Sequence, residues 1–195
     1  MRLTLFLLLS LFISAASAQD WQLKKDRDGI KVWVRTAEDA GNLKESKAHM
    51  VTEGRIDDFL DLLLDFDTYV DWTPKARSGR LVEQVDRDTY IFYSVYKAPM
   101  VSDRDLVARL DILERSADGV RVVMEAVPDR LPEEDGLIRM PRYRGEYVVD
   151  VLDDGRLDIT LQYLADPGGR VPDWMVNSTA SDVPFDLFRN LRDAL

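Results

Sequence analysis

From Arg80 to Asp166 the chain alternates apolar and polar residues through one strand-length run after another, with short turns between most of them. "GRLVEQVD" and "DTYIFYSVYK" meet at an Asp-Arg-Asp turn, and "DLVARLDILER" passes through Ala117-Asp118-Gly119 into "VRVVMEAV". "RGEYVVDVLDDGRLDITLQYLAD" turns back at Asp153-Asp154-Gly155. A period of two sends successive side chains to opposite faces, and turns this short join antiparallel neighbours. The chain is therefore committed to an antiparallel sheet with an apolar face that something must cover.

A cover follows directly. The stretch "LADPGGRVPDWMVN" (Leu164–Asn177) ends the alternation, and Pro172 to about Arg192 reads as a helix. Its glycines resemble a phosphate loop only superficially. No lysine or Ser/Thr stands beside them, only Arg170. Asp166-Pro167-Gly168 fits a tight turn instead, with proline setting φ and glycine accepting a positive one. Pro172 then suits the first helical position. Trp174, Met175, Leu187, Phe188 and Leu191 are predicted to form a stripe facing the sheet, and Pro184 to bend the helix.

Upstream, Trp21–Lys25, "IKVWVR" (Ile30–Arg35) and "KESKAHMVTE" read as strands around turns at Asp28-Gly29 and Gly41-Asn42. The period changes in "RIDDFLDLLLDFDTYVDW". Ile56, Phe59, Leu60, Leu63 and Leu64 fall at helical spacing, with Asp57, Asp58, Asp61 and Asp65 largely opposite. Tyr69 to Trp72 reads as a second short helix. Strands, a helix, many antiparallel strands and a long C-terminal helix make an α+β domain.

Alternation also sorts the faces. Tyr90, Phe92, Ser94 and Tyr96 share one; so do Leu106, Ala108, Leu110 and Ile112; so do Val120, Val122, Met124 and Ala126. Tyr147, Val149 and Val151 align, as do Leu157, Ile159, Leu161 and Tyr163. The opposite face, with Asp105, Arg109, Asp111, Arg121 and Glu125, is predicted to be wet. Small residues on the apolar face leave either a cavity or a densely filled core, and alternation by itself does not choose between them.

The first 18 residues differ from the rest. Arg2, an apolar run Leu3–Ile13 and Ala16-Ser17-Ala18 have the form of a cleaved secretory signal, so the expected mature domain is 19–195 and the expected location periplasmic or secreted. The run is shorter than the roughly 20 residues that span a bilayer. There is no cysteine, so packing alone holds the fold. The formal net charge of −10 with no basic run argues against nucleic-acid partners and leaves only brief, apolar membrane contact. A monomer is expected.

Candidate chemistry is sparse. His49 is the sole histidine, and with no cysteine it makes no zinc site; it is read as an exposed strand residue. No G-x-S-x-G elbow accompanies it, and no EF-hand spacing occurs among the aspartates. No catalytic residue, metal or cofactor is expected. Asp103, Arg104 and Asp105 read as an ion-pair cluster at a loop end. Just before them, Pro99, Met100 and Val101 form an apolar loop tip, which usually covers something. Asn177-Ser178-Thr179 matches a glycosylation sequon, read as accidental.

Several pieces in order resemble the START-domain family of lipid-transfer proteins. They are Trp21–Leu23, "DGIKVWVR", "DFDTYVDW", "DRDLV", "GEYVVDVLDDG", "YLADPGGRVPDWMVN" and "LFRNLR". The resemblance implies a helix-grip fold, a curved antiparallel sheet wrapped around the C-terminal helix with a hydrophobic tunnel between. It implies one lipid ligand, sterol-like or phospholipid, and no catalysis. The tunnel would be lined by Tyr90, Phe92, Ser94, Tyr96, Leu106, Ala108, Leu110, Val122, Met124, Tyr147 and Leu161, with Trp174 and Leu187 from the helix. Pro99, Met100, Val101, Gly168, Gly169 and Met175 would form its lid. Cholesterol-binding members carry a buried acid and arginine where this chain has Ser94 and Leu110, so a neutral hydroxyl would have to anchor the ligand. Related folds include cyclases and hydrolases, and an enzyme using the same tunnel is the alternative.

Overall fold

The computed structural model describes residues 20–98 and 101–195. The expected signal segment and the lid residues Pro99 and Met100 lie outside them. Strands β1 (Gln22–Arg27), β2 (Ile30–Thr36) and β3 (Lys44–Thr52) come first, then helices α1 (Ile56–Leu64) and α2 (Tyr69–Trp72). The long meander follows as β4 (Ala76–Gln84), β5 (Thr89–Tyr96), β6 (Arg104–Arg115) and β7 (Gly119–Ala126). A two-residue β8 (Ile138–Arg139), β9 (Arg142–Val151) and β10 (Leu157–Asp166) complete the strands, before α3 (Asp173–Asn177) and α4 (Asp182–Ala194).

The sheet order is β1-β2-β3-β10-β9-β7-β6-β5-β4. The segment α1–α2 carries the chain from β3 to the far edge at β4. The meander then walks back until β10 pairs with β3, Leu161 opposite Ala48. This return brings the C-terminal helices out beside the N-terminal strands, and α4 packs on β2 and β3. The architecture is the expected helix-grip one.

The amphipathic patterns account for the packing. In α1 the buried residues are Ile56, Phe59, Leu60 and Leu63, with Asp57 and Asp58 in the first turn, where the helix dipole favours negative charge. Phe59 meets Tyr147 edge-on at 5.4 Å and Phe66 stacks on Phe92 at 5.1 Å. The α1–α2 connection can lie this close to the sheet because β4 has Gly79 there. A Cβ on Gly79 would stand 2.5 Å from the Phe66 carbonyl oxygen. In α4, Phe185, Phe188 and Leu191 are fully buried, each worth roughly 1.5–3 kcal/mol of burial.

Several expectations need correction. The C-terminal helix is two helices separated by 178–181. The Asn177 side chain accepts the Lys44 N–H at 3.0 Å and donates to the Asn42 carbonyl at 2.9 Å. The Ser178 and Thr179 hydroxyls bond back to the Met175 and Val176 carbonyls, which competes with helix continuation. Pro184 lies in the first turn of α4, where its missing N–H costs nothing, so it bends no helix. Asn177, read as an accidental sequon, is thus the bracket that pins α3 to the β2–β3 turn.

Trp174 does not face the sheet; it is 69% exposed. His49 is half-buried rather than exposed, with Nε2 3.0 Å from Asp158 on the neighbouring strand.

The outer face of β5 and β6 is not simply wet. Ile91, Tyr93 and Val107 form a second small core there with Val127 and Leu131. The loop 127–137 folds over it, and β8 pairs with β6 in parallel, a pairing no hairpin pattern signals. Beneath the loop, Asp105 (1% exposed) and Arg139 (9%) form a buried ion pair. Arg139 Nε and Nη2 donate to Asp105 Oδ2 at 3.1 and 2.9 Å, and the same guanidinium donates to the Leu131 and Pro132 carbonyls. The bonds to Asp105 raise the Arg139 pKa further. The pair replaces the expected cluster of Asp103, Arg104 and Asp105.

Candidate functional site

The concave face divides into a filled half and a hollow half. At the filled end, Phe92, Ala108, Leu110 and Val122 are packed into the core with Phe59, Leu60 and Phe66 of the α1 segment. Tyr90 points its hydroxyl outward, donating to the Arg87 carbonyl at 2.9 Å. These five residues do not line the pocket, because the bulky side chains of α1 and its following turn fill the space above them. Ser94, also buried, sits at the boundary.

At the other end α1 runs out, and α2, α3 and α4 roof the sheet less tightly. A pocket of about 410 Å3 lies between them. Tyr96, Leu106, Met124, Tyr147, Leu161 and Leu187, all expected in the tunnel, line it, and so do the lid residues Val101 and Met175. Trp174, exposed, does not. Its volume is within the roughly 300–1,000 Å3 of small-molecule sites.

Five tyrosines give the pocket its character: Tyr69, Tyr96, Tyr143, Tyr147 and Tyr163. The Tyr69 and Tyr96 hydroxyls are 2.9 Å apart, and Ser94 Oγ donates to Tyr96 at 3.2 Å. Burial pushes all five pKa values up, so these hydroxyls stay protonated at neutral pH. Thr73 lies beside the Tyr69 hydroxyl and opposes that shift slightly. No hydrogen bond of good geometry joins the two, and Thr73 Oγ1 and Trp72 Nε1 are buried without a partner. The rest of the described lining is mostly apolar, with Lys75, Lys97, Arg104 and the hydroxyls of Ser178 and Thr179 among it, and includes no carboxylate or imidazole. Such a site can hold an apolar body and hydrogen-bond a polar group. Its lining supplies no side chain suited to abstracting a proton at neutral pH.

Tyr143 and Tyr163 share the inward rows of β9 and β10, and alternation could have nominated both. Arg104, two residues before Leu106 on β6, continues the inward row of that strand as well; Tyr69 and Trp72 gave no such signal, because non-local packing brings them to the pocket.

The turn at Pro167–Gly169 closes one side. Gly168 and Gly169 have φ of +64° and +68°, and the Gly168 N–H donates to Asp166 Oδ1 at 2.9 Å. Pro167 touches the pocket; the two glycines stand behind it. A Cβ on Gly168 would be 2.9 Å from both the Arg139 carbonyl oxygen and Pro141 Cδ. Gly168→Val is therefore expected to cost about 2 kcal/mol or more, lowering the melting temperature by roughly 4–8 °C. An unchanged melting curve and unchanged lipid exchange would remove the turn from the account.

The sequence matches the START domain over residues 14–195. A crystal structure of a STAR-related lipid transfer protein (fragment 25-204) from Xanthomonas axonopodis superposes with a TM-score of 0.80 at 35% identity, covering 89% of this chain and 97% of that one. Phosphatidylcholine transfer protein of Mus musculus is 27% identical over 176 residues, covering 86% of this chain and 80% of the relative. An aromatase/cyclase from Streptomyces sp. R1128 shares the fold at a TM-score of 0.53 and 12% identity, covering 77% of this chain and 89% of that one.

Proposed function

The chain belongs to the START-domain family, and on that premise we propose that it encloses one lipid in the pocket beneath α3 and α4 and carries it between membranes. The observation that carries this reading is the pocket itself: hollow, largely apolar and roofed by the separate helices α2, α3 and α4. Apolar burial at roughly 25 cal/mol per Å2 can retain such a ligand without an ion pair at every polar atom. Export is part of the proposal, through residues 1–18, as is action as a monomer. No helix among the described residues is long and apolar enough to cross a membrane. Contact with lipid at the membrane surface is part of the proposal.

Trp174 suits that contact. It is exposed, next to the pocket residue Met175, and Val101 at the pocket edge is 41% exposed. Tryptophan is favoured at the boundary of water and lipid. Trp174→Ala is expected to slow lipid transfer between vesicles several-fold while equilibrium binding in solution is kept. Equal transfer rates would place the membrane contact elsewhere.

Transfer of labelled lipids from donor to acceptor vesicles tests the function. Acceleration by the protein supports it. No acceleration for sterols, phospholipids or single-chain lipids would overturn it. The second reading, a cyclase or hydrolase, draws on the protonated tyrosines facing an apolar pocket. Product formation from an apolar substrate that Tyr69→Phe, Tyr96→Phe or Tyr147→Phe abolishes would favour it.

A further inference from the structure

The pocket's charge is opposite to that of the chain. The sequence has 36 aspartates and glutamates against 26 lysines and arginines. Yet no acid lines the pocket, while Lys75, Lys97 and Arg104 do. Lys75 and Lys97 are exposed and stand together, the Lys97 N–H donating to the Lys75 carbonyl at 2.8 Å.

Arg104 is 5% exposed. It faces Tyr96 directly across the β5–β6 ladder, at the pocket end of the row that continues with Leu106. Its Nε donates to the Pro167 carbonyl at 3.3 Å and its Nη1 to the Ser102 carbonyl. Both acceptors are neutral. The acids on either side of it in sequence are committed elsewhere: Asp103 to Arg77 and the Ala98 N–H, Asp105 to Arg139. Residues outside the described part of the chain include no aspartate or glutamate.

A buried guanidinium without a counter-charge is costly, because it gives up the hydration that stabilises the ion in water. The two carbonyls accept from Nε and Nη1 without neutralising the charge. Elsewhere in the lining Trp72 Nε1 and Thr73 Oγ1 are buried without a hydrogen-bond partner, and neither arginine nor tryptophan can accept a hydrogen bond. The missing component is an acceptor that carries negative charge.

We propose that the pocket takes a single-chain amphiphile with an anionic head, carboxylate or phosphate, seated against Arg104 with Lys75 and Lys97 at the rim and its chain among Leu106, Leu161 and Leu187. This deepens the lipid-binding reading and rests on it. A volume of about 410 Å3, near the lower end for ligand pockets, suits one chain. A zwitterionic head would bring its cation toward three like charges, with only aromatic faces such as Tyr143 and Tyr163 to receive it.

The test is titration of the delipidated full chain with four ligands of one acyl chain, each below its aggregation concentration. They are oleate, oleoyl lysophosphatidate, oleoyl lysophosphatidylcholine and monooleoylglycerol. At least one anionic ligand is expected to bind about tenfold or more tightly than the uncharged one, as charge-assisted hydrogen bonds allow, and to weaken with added salt. Oleate against lysophosphatidate separates the two head chemistries, and competition by inorganic phosphate shows whether the head binds alone. Arg104→Gln should erase the ratio of anionic to uncharged affinity. If circular dichroism shows that variant unfolded, the exposed double variant Lys75→Gln/Lys97→Gln decides, with an expected loss of about threefold in anionic affinity and a shallower salt dependence. Equal binding of all four, preference for lysophosphatidylcholine, or an unchanged ratio in a folded variant would overturn the head-group assignment and leave lipid binding standing. Binding of none, in a protein that also moves no lipid between vesicles, would instead overturn the lipid reading itself.

Discussion

Arg139→Leu is expected to be the most destabilising single change in the sheet, costing about 3–5 kcal/mol. It leaves the Asp105 carboxylate buried and unpaired, and it removes the donors that hold the Leu131 and Pro132 carbonyls of the loop. For a domain of this size that lowers the melting temperature by roughly 10 °C or more. The double variant Arg139→Leu/Asp105→Leu should recover much of the loss, since the penalty belongs to the orphaned charge. Thermal unfolding of the two variants checks this. If the double variant is no more stable than the single one, the ion pair is not what ties loop 127–137 to β6.

Leu161→Trp should have the largest effect on binding. Leu161 is buried on β10, its side chain lines the pocket, and the space before it is empty. An indole there would occupy much of the volume that a ligand needs. Overpacking a filled core costs about 1–3 kcal/mol, and the hollow should keep the cost at the lower end. Lipid binding should fall by at least about tenfold with a near-normal melting curve. The matched change Leu110→Trp, in the packed half of the same face, should destabilise the fold instead. Retained binding in a folded Leu161→Trp protein would move the ligand out of this pocket.

These paired outcomes mark where the sequence was legible. Alternation identified the strands and their inward rows, because a one-residue slip would have exposed every apolar side chain. It could not say which part of an apolar row is covered by α1 and which is left hollow. Phe92 and Leu106 look alike in the pattern; Phe66 stacks on one and the pocket opens over the other. The outer core on Ile91, Tyr93 and Val107 was hidden for the same reason, since its cover is a loop without periodicity. Asp105 read as a wet-face charge because its partner, Arg139, lies 34 residues away. The helix break was unreadable at Asn177, whose side chain bonds to residues more than 130 positions earlier. Local patterns carry faces and turns, whereas hollows, latches and buried pairs come from distant segments meeting.

Native mass spectrometry of the full chain purified from its own host decides whether the pocket holds a lipid. The expected result is a protein carrying one small apolar or amphipathic molecule, retained under gentle ionisation, identified after extraction as a lipid, and missing from the Leu161→Trp variant. Ligand-free protein that also fails to take up any lipid from vesicles would contradict it, and so would a bound lipid that Leu161→Trp leaves undisturbed.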